Sequence, residues 1–183
     1  MAWAWTIALV GLLAWGVWTY NRLVRLRNQV RAGWSDIDVQ LTRRHDLVPA
    51  LVEAVAAYAG HERSVLQAVT ELRARAVATD SPAQLAAVEA GLEQALGRLL
   101  ALREAYPDLK ASGNFLALQR DLVEVEEHLQ FARRFYNGAV RALNDGIQKV
   151  PDLVVARLFG FRAAEFYRAA DGERAAPALE LPR

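Results

Sequence analysis

The fold is decided by one stretch of the chain, residues 115–150, which reads FLALQRDLVEVEEHLQFARRFYNGAVRALNDGIQKV. Its apolar residues recur in steps of three and four: Phe115, Leu118, Leu122, Val125, Leu129, Ala132, Tyr136, Ala139, Leu143, Ile147 and Val150. This spacing places them on one side of an α-helix over about five heptads, as in the seam of a coiled coil. The stretch therefore predicts a long helix that packs on other helices and stops at Pro151.

Two further apolar stripes precede this one. The first runs from Leu23 to Leu72, and we expect a kink or a restart at Pro49, because proline removes a backbone hydrogen bond and clashes with the preceding turn. The second runs from Leu85 to Leu102, and Ser81 before Pro82 is typical of a helix start. Alternation typical of strands is not seen. The sequence predicts an all-α protein, an antiparallel bundle of three to four long helices.

The first twenty residues carry no charge and contain four tryptophans, two near each end. As a helix they span roughly 30 Å, about the hydrocarbon thickness of a bilayer. The alternative is a cleaved signal peptide, but no positive residue precedes the apolar run, which is also too long for a signal peptide. We expect residues 1–20 to be a transmembrane anchor that continues without a linker into the bundle.

A basic cluster follows the apolar run: Arg22, Arg25, Arg27 and Arg31, with no acidic residue in positions 1–31. Positive residues stay on the cytoplasmic side of a membrane, which predicts an outer N-terminus and a cytoplasmic body. The same arginines are expected to contact anionic lipid headgroups. Taking these four from the 22 basic residues leaves 18 against 21 acidic ones, a balance that argues against nucleic-acid binding.

The bundle is expected to cover residues 21–168. Its last part contains an apolar cluster that should dock on the long helices: Leu158, Phe159, Phe161, Phe166 and Tyr167. Residues 169–183 contain two prolines and a glycine and are predicted to be a flexible tail.

Charged side chains occupy a position of the first stripe where an apolar one is expected. The slot between Leu41 and Val48 falls on Arg44 and His45. One interpretation is a ligand or partner site built from Asp36, Asp38, Arg43, Arg44, His45 and Asp46. The other is a structural network in which the arginines pair with acids of a neighbouring helix or reach water beside Pro49, and we favour it.

Polar residues also flank the seam of the last helix, among them Glu126 and Arg133. Such flanking positions usually carry bonds between helices that set their register. We expect Glu126 to pair with Arg43 or Arg44.

No arrangement typical of catalysis or metal binding is found. The three histidines, His45, His61 and His128, lack the glutamate three residues earlier that carboxylate-bridged metal bundles require. There is no nucleophile elbow and no glycine-rich phosphate loop. Cysteine is absent, which excludes disulfides and thiolate chemistry. We predict no catalytic site, no cofactor and no metal.

Three runs resemble the LemA family and follow one another in the expected order: Asn21–Glu62, Ala105–Val140 and Val150–Tyr167. Small departures are Gly33 and Gly113, where the family more often has a helix former. The resemblance implies a bacterial membrane protein with one N-terminal transmembrane helix and a helical-bundle body, in a family with no established enzymatic activity. One branch of that family lies in magnetosome membranes.

Several functions stay open at this point. The first is a scaffold at the bacterial cytoplasmic membrane, in contact with lipid and with a protein partner or further copies of itself, and membrane remodelling is a variant of it. The second is a binding module for a small ligand or lipid, entered near Arg44 and His45. An enzyme with an unrecognised site is the third and the least favoured.

Overall fold

The structure, a computed structural model, describes residues 2–79 and 81–167. Every regular element in this part of the chain is helical, which confirms the predicted all-α class. The elements are α1 (Ala2–Ala59), α2 (Arg63–Val77), α3 (Pro82–Ala101), a 3₁₀ turn (Leu102–Glu104), α4 (Pro107–Ala111), α5 (Gly113–Gln148) and α6 (Asp152–Leu158). The predicted tail, residues 169–183, lies outside the described residues.

Helix α1 has 58 residues and is continuous through Pro49. Of the two alternatives expected at Pro49, the restart is therefore wrong, and the kink stays a prediction. The carbonyl that Pro49 leaves without a helical donor belongs to His45, and Arg73 donates a hydrogen bond to it instead. The break comes later, at Gly60–Glu62, so the end of the first apolar stripe belongs to α2.

The chain divides into two compact units. The first comprises residues 2–41 and 126–166, and the second comprises residues 42–79, 81–125 and 167. The long helices α1 and α5 each contribute to both units.

In the first unit, α1 packs against the C-terminal half of α5 through two glycines. A Cβ atom added at Gly33 would lie 3.0 Å from the Cα of Tyr136, and one added at Gly146 would lie 3.1 Å from the Leu26 side chain. Residue numbers rise along α1 as they fall along α5, so the two helices are antiparallel in this unit. The ring of Trp34 lies 5.6 Å from that of Tyr136, measured between centroids. Gly33, a departure from the family pattern, thus permits close helix approach.

The second unit has a core of aliphatic side chains with one aromatic ring. Its buried members are Val48, Leu51, Val55, Ala59, Val69, Leu92, Ala95, Leu96, Leu99, Leu109, Phe115 and Leu122. Helices α2 and α3 pack on each other across Leu72 and Gly91. The predicted start of α3 is confirmed, with Ser81 at the N-cap and Pro82 at the first helical position, although the Ser81 side chain makes no capping bond.

The seam of α5 is confirmed for most of its members. Nine of its eleven residues are buried, and Leu118 is half-buried. The prediction that Val150 belongs to the seam is wrong, because α5 ends at Gln148 and Val150 lies exposed in the turn that follows.

The expected docking of the last apolar cluster is correct only in part. The rings of Phe159 and Phe161 lie 4.8 and 5.8 Å from that of Tyr20, between centroids. Tyr167 is buried, but Leu158 and Phe166 are exposed. Phe159 and Phe161 therefore dock through contact with Tyr20, although Phe159 stays 57% exposed, and Tyr167 is enclosed as well. Leu158 and Phe166 are left uncovered.

Candidate functional site

A fully buried ion pair lies in the second unit, between Arg44 of α1 and Glu89 of α3. Nη2 of Arg44 donates a hydrogen bond to Oε2 of Glu89. The other carboxylate oxygen, Oε1, lies 2.7 Å from Nε2 of His45. Both oxygens of this buried carboxylate are thus engaged by cationic or hydrogen-bonding groups of α1.

Helical spacing explains why these groups meet. Arg44 follows Leu41 by three residues and precedes Val48 by four, so it faces the core with them. Glu89 follows the buried Leu85 by four residues and precedes the buried Leu92 by three. Burying either charge alone costs several kcal/mol, and pairing offsets that cost. The structural interpretation, an arginine paired with an acid of a neighbouring helix, is what the geometry supports.

The surroundings of Glu89 favour its ionised form. Burial raises the pKa of this carboxyl group, but the hydrogen bond with His45 and the positive charge of Arg44 outweigh burial. The pKa of Glu89 is therefore held below its ordinary value. A carboxylate in this state is an acceptor of hydrogen bonds and a poor proton donor.

Glu89 was not among the residues predicted from the sequence. The available signal was its position, since an acid between Leu85 and Leu92 at core spacing is unusual on an apolar stripe. The apolar stripe can also be followed through the half-buried Val88, and in that case Glu89 does not stand out as a core position.

The remaining predicted site residues lie outside the buried cluster of Arg44, His45 and Glu89. Arg43 and Asp46 are exposed, and Arg43 lies 4.0 Å from the exposed Glu124. Asp36 and Asp38 are exposed on α1 in the first unit. In the same unit, Glu126 and Arg133 are half-buried on α5 and have interaction partners.

The pairing of Glu126 with Arg43 or Arg44 stays a prediction. Within the described residues, no group of three or more histidines and acids is placed to hold a metal ion.

The basic cluster at the start of α1 has a second structural role in the first unit. Arg22 Nη1 lies 2.6 Å from Oδ2 of the buried Asp152, and the Arg22 guanidinium lies 5.8 Å from the Trp18 ring. The guanidinium of Arg27 lies 5.2 Å from the Phe161 ring. Arg25 and Arg31 are exposed. Asp152 was missed, because nothing in its local sequence marks it as the partner of a residue 130 positions earlier.

Apolar side chains cover the N-terminal part of α1 on all sides and are exposed: Trp3, Trp5, Ile7, Leu9, Val10, Leu12, Leu13 and Val17. Among the described residues, α1 is the one helix long and apolar enough to cross a membrane. A helix of this kind, whose later part packs in two helical units, is typical of a membrane-associated all-α protein.

Comparison with known sequences identifies the family. A sequence model of the LemA family matches residues 33–181, most of the chain, and the chain belongs to that family. It is 24% identical over 188 residues to magnetosome protein MamQ 2 of Paramagnetospirillum magneticum, with 88% of this chain and 69% of the relative covered.

Two further relatives show the same level of similarity. Magnetosome protein MamQ of Magnetospirillum gryphiswaldense is 22% identical, with 88% of this chain and 69% of the relative covered. Protein LemA of Metamycoplasma hominis is 25% identical over 158 residues, with 84% of this chain and 71% of the relative covered. None of these names states an enzymatic activity.

Proposed function

We propose that this protein is a non-enzymatic, single-pass scaffold at the bacterial cytoplasmic membrane, which binds further copies of itself or a defined protein partner. The observation that carries the proposal is a pair of exposed aromatic side chains on α5. Phe131 and Phe135 are 64% and 52% exposed, while the opposite side of the same helix is buried. Large apolar side chains exposed beside one another are typical of contact surfaces.

Charge next to this pair fits a protein contact. The guanidinium of Arg134 lies 4.7 Å from the Phe131 ring. Aromatic and arginine side chains are the residues most enriched at the centres of protein interfaces. The pair lies in the first unit, the unit that contains the apolar start of α1.

The non-enzymatic part of the proposal is supported by the buried cluster. Glu89 is enclosed and both of its oxygens are engaged, so it offers no free group to a substrate. A catalytic carboxylate needs access to the reacting atoms.

Cross-linking of the full-length protein in native membranes tests the scaffold role. We expect a defined homo-oligomer or a stoichiometric partner in the wild type, and its loss in Phe131→Glu. Val77→Glu, at an exposed position of α2, is the matched control and should keep the product. A wild type that stays monomeric and without a partner would contradict the proposal, as would equal losses in both variants.

The proposed orientation places the N-terminus outside and the body in the cytoplasm. Its support is the run of four arginines directly after the apolar stretch. Alkaline phosphatase fused to the C-terminus should be inactive, and green fluorescent protein fused at the same point should fluoresce. An active phosphatase fusion would reverse the orientation.

A second candidate function is the binding of a small ligand or lipid. The observation that favours it is a surface groove of about 590 Å³ in the second unit, lined by Arg103, Leu116, Gln119, Arg120 and Val123. The guanidinium of Arg103 is already engaged by Glu104 and Gln119, so the guanidinium of Arg120, beside the aliphatic side chains, is the group that would bind an amphipathic anion. Native mass spectrometry of the full-length protein should then show a bound molecule that Arg120→Gln releases. A spectrum with the bare protein mass alone would count against this function.

A further inference from the structure

Helix α6 turns apolar side chains outward. Val154 and Leu158, four residues apart on one side of this helix, are 64% and 77% exposed. Val150 before it is 80% exposed, and Phe159 after it is 57% exposed. The other side of α6, with Asp152, Val155 and Ala156, is buried in the protein. Apolar side chains grouped on one exposed face indicate a site of contact with a protein or a membrane.

Two contacts place α6 beside the end of the apolar part of α1. Arg22 forms an ion pair with Asp152, the first residue of α6. The ring of Tyr20 lies 4.8 Å from that of Phe159, which follows α6 directly. Tyr20 is the last residue of the apolar stretch, and Arg22, two positions later, is the first charged residue of the chain. Two residues span about 3 Å along a helix axis. With α1 as the proposed membrane span, α6 lies at the level where α1 passes from hydrocarbon into the headgroup layer.

The charge around α6 fits that layer. Residues 149–162 contribute Lys149, Arg157 and Arg162, and their one acid, Asp152, is paired with Arg22. Together with the arginines of positions 22–31, the region carries seven basic residues against one acid. Basic residues next to an apolar face are the pattern of helices that lie on anionic membranes.

We propose that α6 is a second membrane contact. Val150, Val154, Leu158 and Phe159 enter the headgroup layer of the bilayer, and Lys149, Arg157 and Arg162 bind the phosphate groups of anionic lipids around them. The Arg22–Asp152 ion pair fixes this contact to α1, so that the first unit is held to the membrane at two places. The proposal rests on α1 being the membrane span put forward above.

The absence of cysteine makes the test direct, because one introduced cysteine can carry one fluorophore. The full-length protein is placed in vesicles of phosphatidylcholine and phosphatidylglycerol, with a nitrobenzoxadiazole label at Val154→Cys or Leu158→Cys. Val77→Cys, exposed on α2, is the control for water, and Leu12→Cys, in the apolar part of α1, is the control for lipid. Quenching is measured with headgroup-level nitroxide lipids and with aqueous iodide.

The labels at residues 154 and 158 should be quenched strongly by nitroxide lipids and weakly by iodide. The label at residue 77 should be quenched strongly by iodide and weakly by nitroxide lipids. If residue 12 lies in lipid while 154 and 158 are as open to iodide as 77, the α6 contact is overturned and the span stands. If residue 12 is open to iodide, the span and the α6 contact both fail. Protection from iodide without quenching by nitroxide lipids would overturn the proposal in favour of a covering protein surface, such as a second copy.

The lipid charge is tested separately. Replacing phosphatidylglycerol by phosphatidylcholine, or replacing both Arg157 and Arg162 by glutamine, should make the label at Val154→Cys more open to iodide. The matched control replaces Arg75 and Arg98, two arginines of α2 and α3, by glutamine and should change nothing. Equal quenching in all of these samples would overturn the role of anionic headgroups.

Discussion

Arg73 of α2 donates a hydrogen bond from Nε to the backbone carbonyl of His45 on α1, over 2.7 Å. In an unbroken helix this carbonyl accepts its bond from the N–H of the residue four positions later. That residue is Pro49, which has no N–H. A side chain from the neighbouring helix thus takes the place of a backbone donor, and α1 continues ten residues beyond the proline, to Ala59.

This substitution of donors predicts a coupling between Arg73 and Pro49. Arg73→Leu should lower the free energy of unfolding by about 1–3 kcal/mol, because a partly buried carbonyl is left without a donor. In a Pro49→Ala background the alanine N–H serves the same carbonyl, so the cost of Arg73→Leu should be smaller. Denaturant unfolding of the full-length protein in mild detergent, followed by circular dichroism, measures both. Strictly additive effects would contradict the role assigned to Arg73.

The buried ion pair predicts that removing one of its two charges lowers the stability of the protein more than removing both. Arg44→Met leaves the Glu89 carboxylate in the core with His45 alone and should cost about 3–5 kcal/mol of stability. The double variant Arg44→Met with Glu89→Met replaces both charges by apolar side chains and should cost less than Arg44→Met. The midpoints of unfolding of the single and the double variant, measured in the same detergent, test this order of stability. A double variant as unstable as the sum of both single changes would show that the pair itself is not the cause.

Acid should weaken the protein through Glu89. Its pKa is held below the ordinary value, so the folded state favours the carboxylate more than the unfolded chain does. This stability is present above the unfolded carboxyl pKa, about 4.3, and is lost as the pH falls through the lower folded value. Stability measured between neutral and acidic pH should therefore fall more steeply in the wild type than in Glu89→Gln.

Glu104 provides the control for this pH dependence. Its pKa is also lowered, first through a hydrogen bond from Lys110, but the group is exposed and screened by water. Glu104→Gln should keep the acid sensitivity of the wild type. Parallel pH profiles for the wild type and Glu89→Gln would contradict the assignment to the buried pair.

The sequence predicted what depends on local periodicity. The seam of α5 and the start of α3 at Ser81–Pro82 follow from spacing and from the backbone preferences of proline. Contacts between residues distant in sequence could not be predicted in this way, because the residue opposite a given side chain depends on how the helices pack. Glu89 lies 45 positions from Arg44, and Asp152 lies 130 positions from Arg22. The continuity of α1 through Pro49 also required a donor from another helix, which no local pattern reveals.

Helix approach in the first unit predicts opposite effects for two glycine substitutions. A Cβ atom at Gly33 would lie 3.0 Å from the backbone of Tyr136, so Gly33→Ala requires a shift of a few tenths of an ångström between α1 and α5 and should cost about 1–3 kcal/mol. Gly138 is exposed on α5 and a Cβ atom there would meet nothing within 4 Å, so Gly138→Ala should stabilise by about 0.8–1 kcal/mol through helix propensity. Unfolding midpoints of both variants against the wild type measure the difference. If Gly33→Ala were as stabilising as Gly138→Ala, α1 and α5 would not be in the close contact that Gly33 permits.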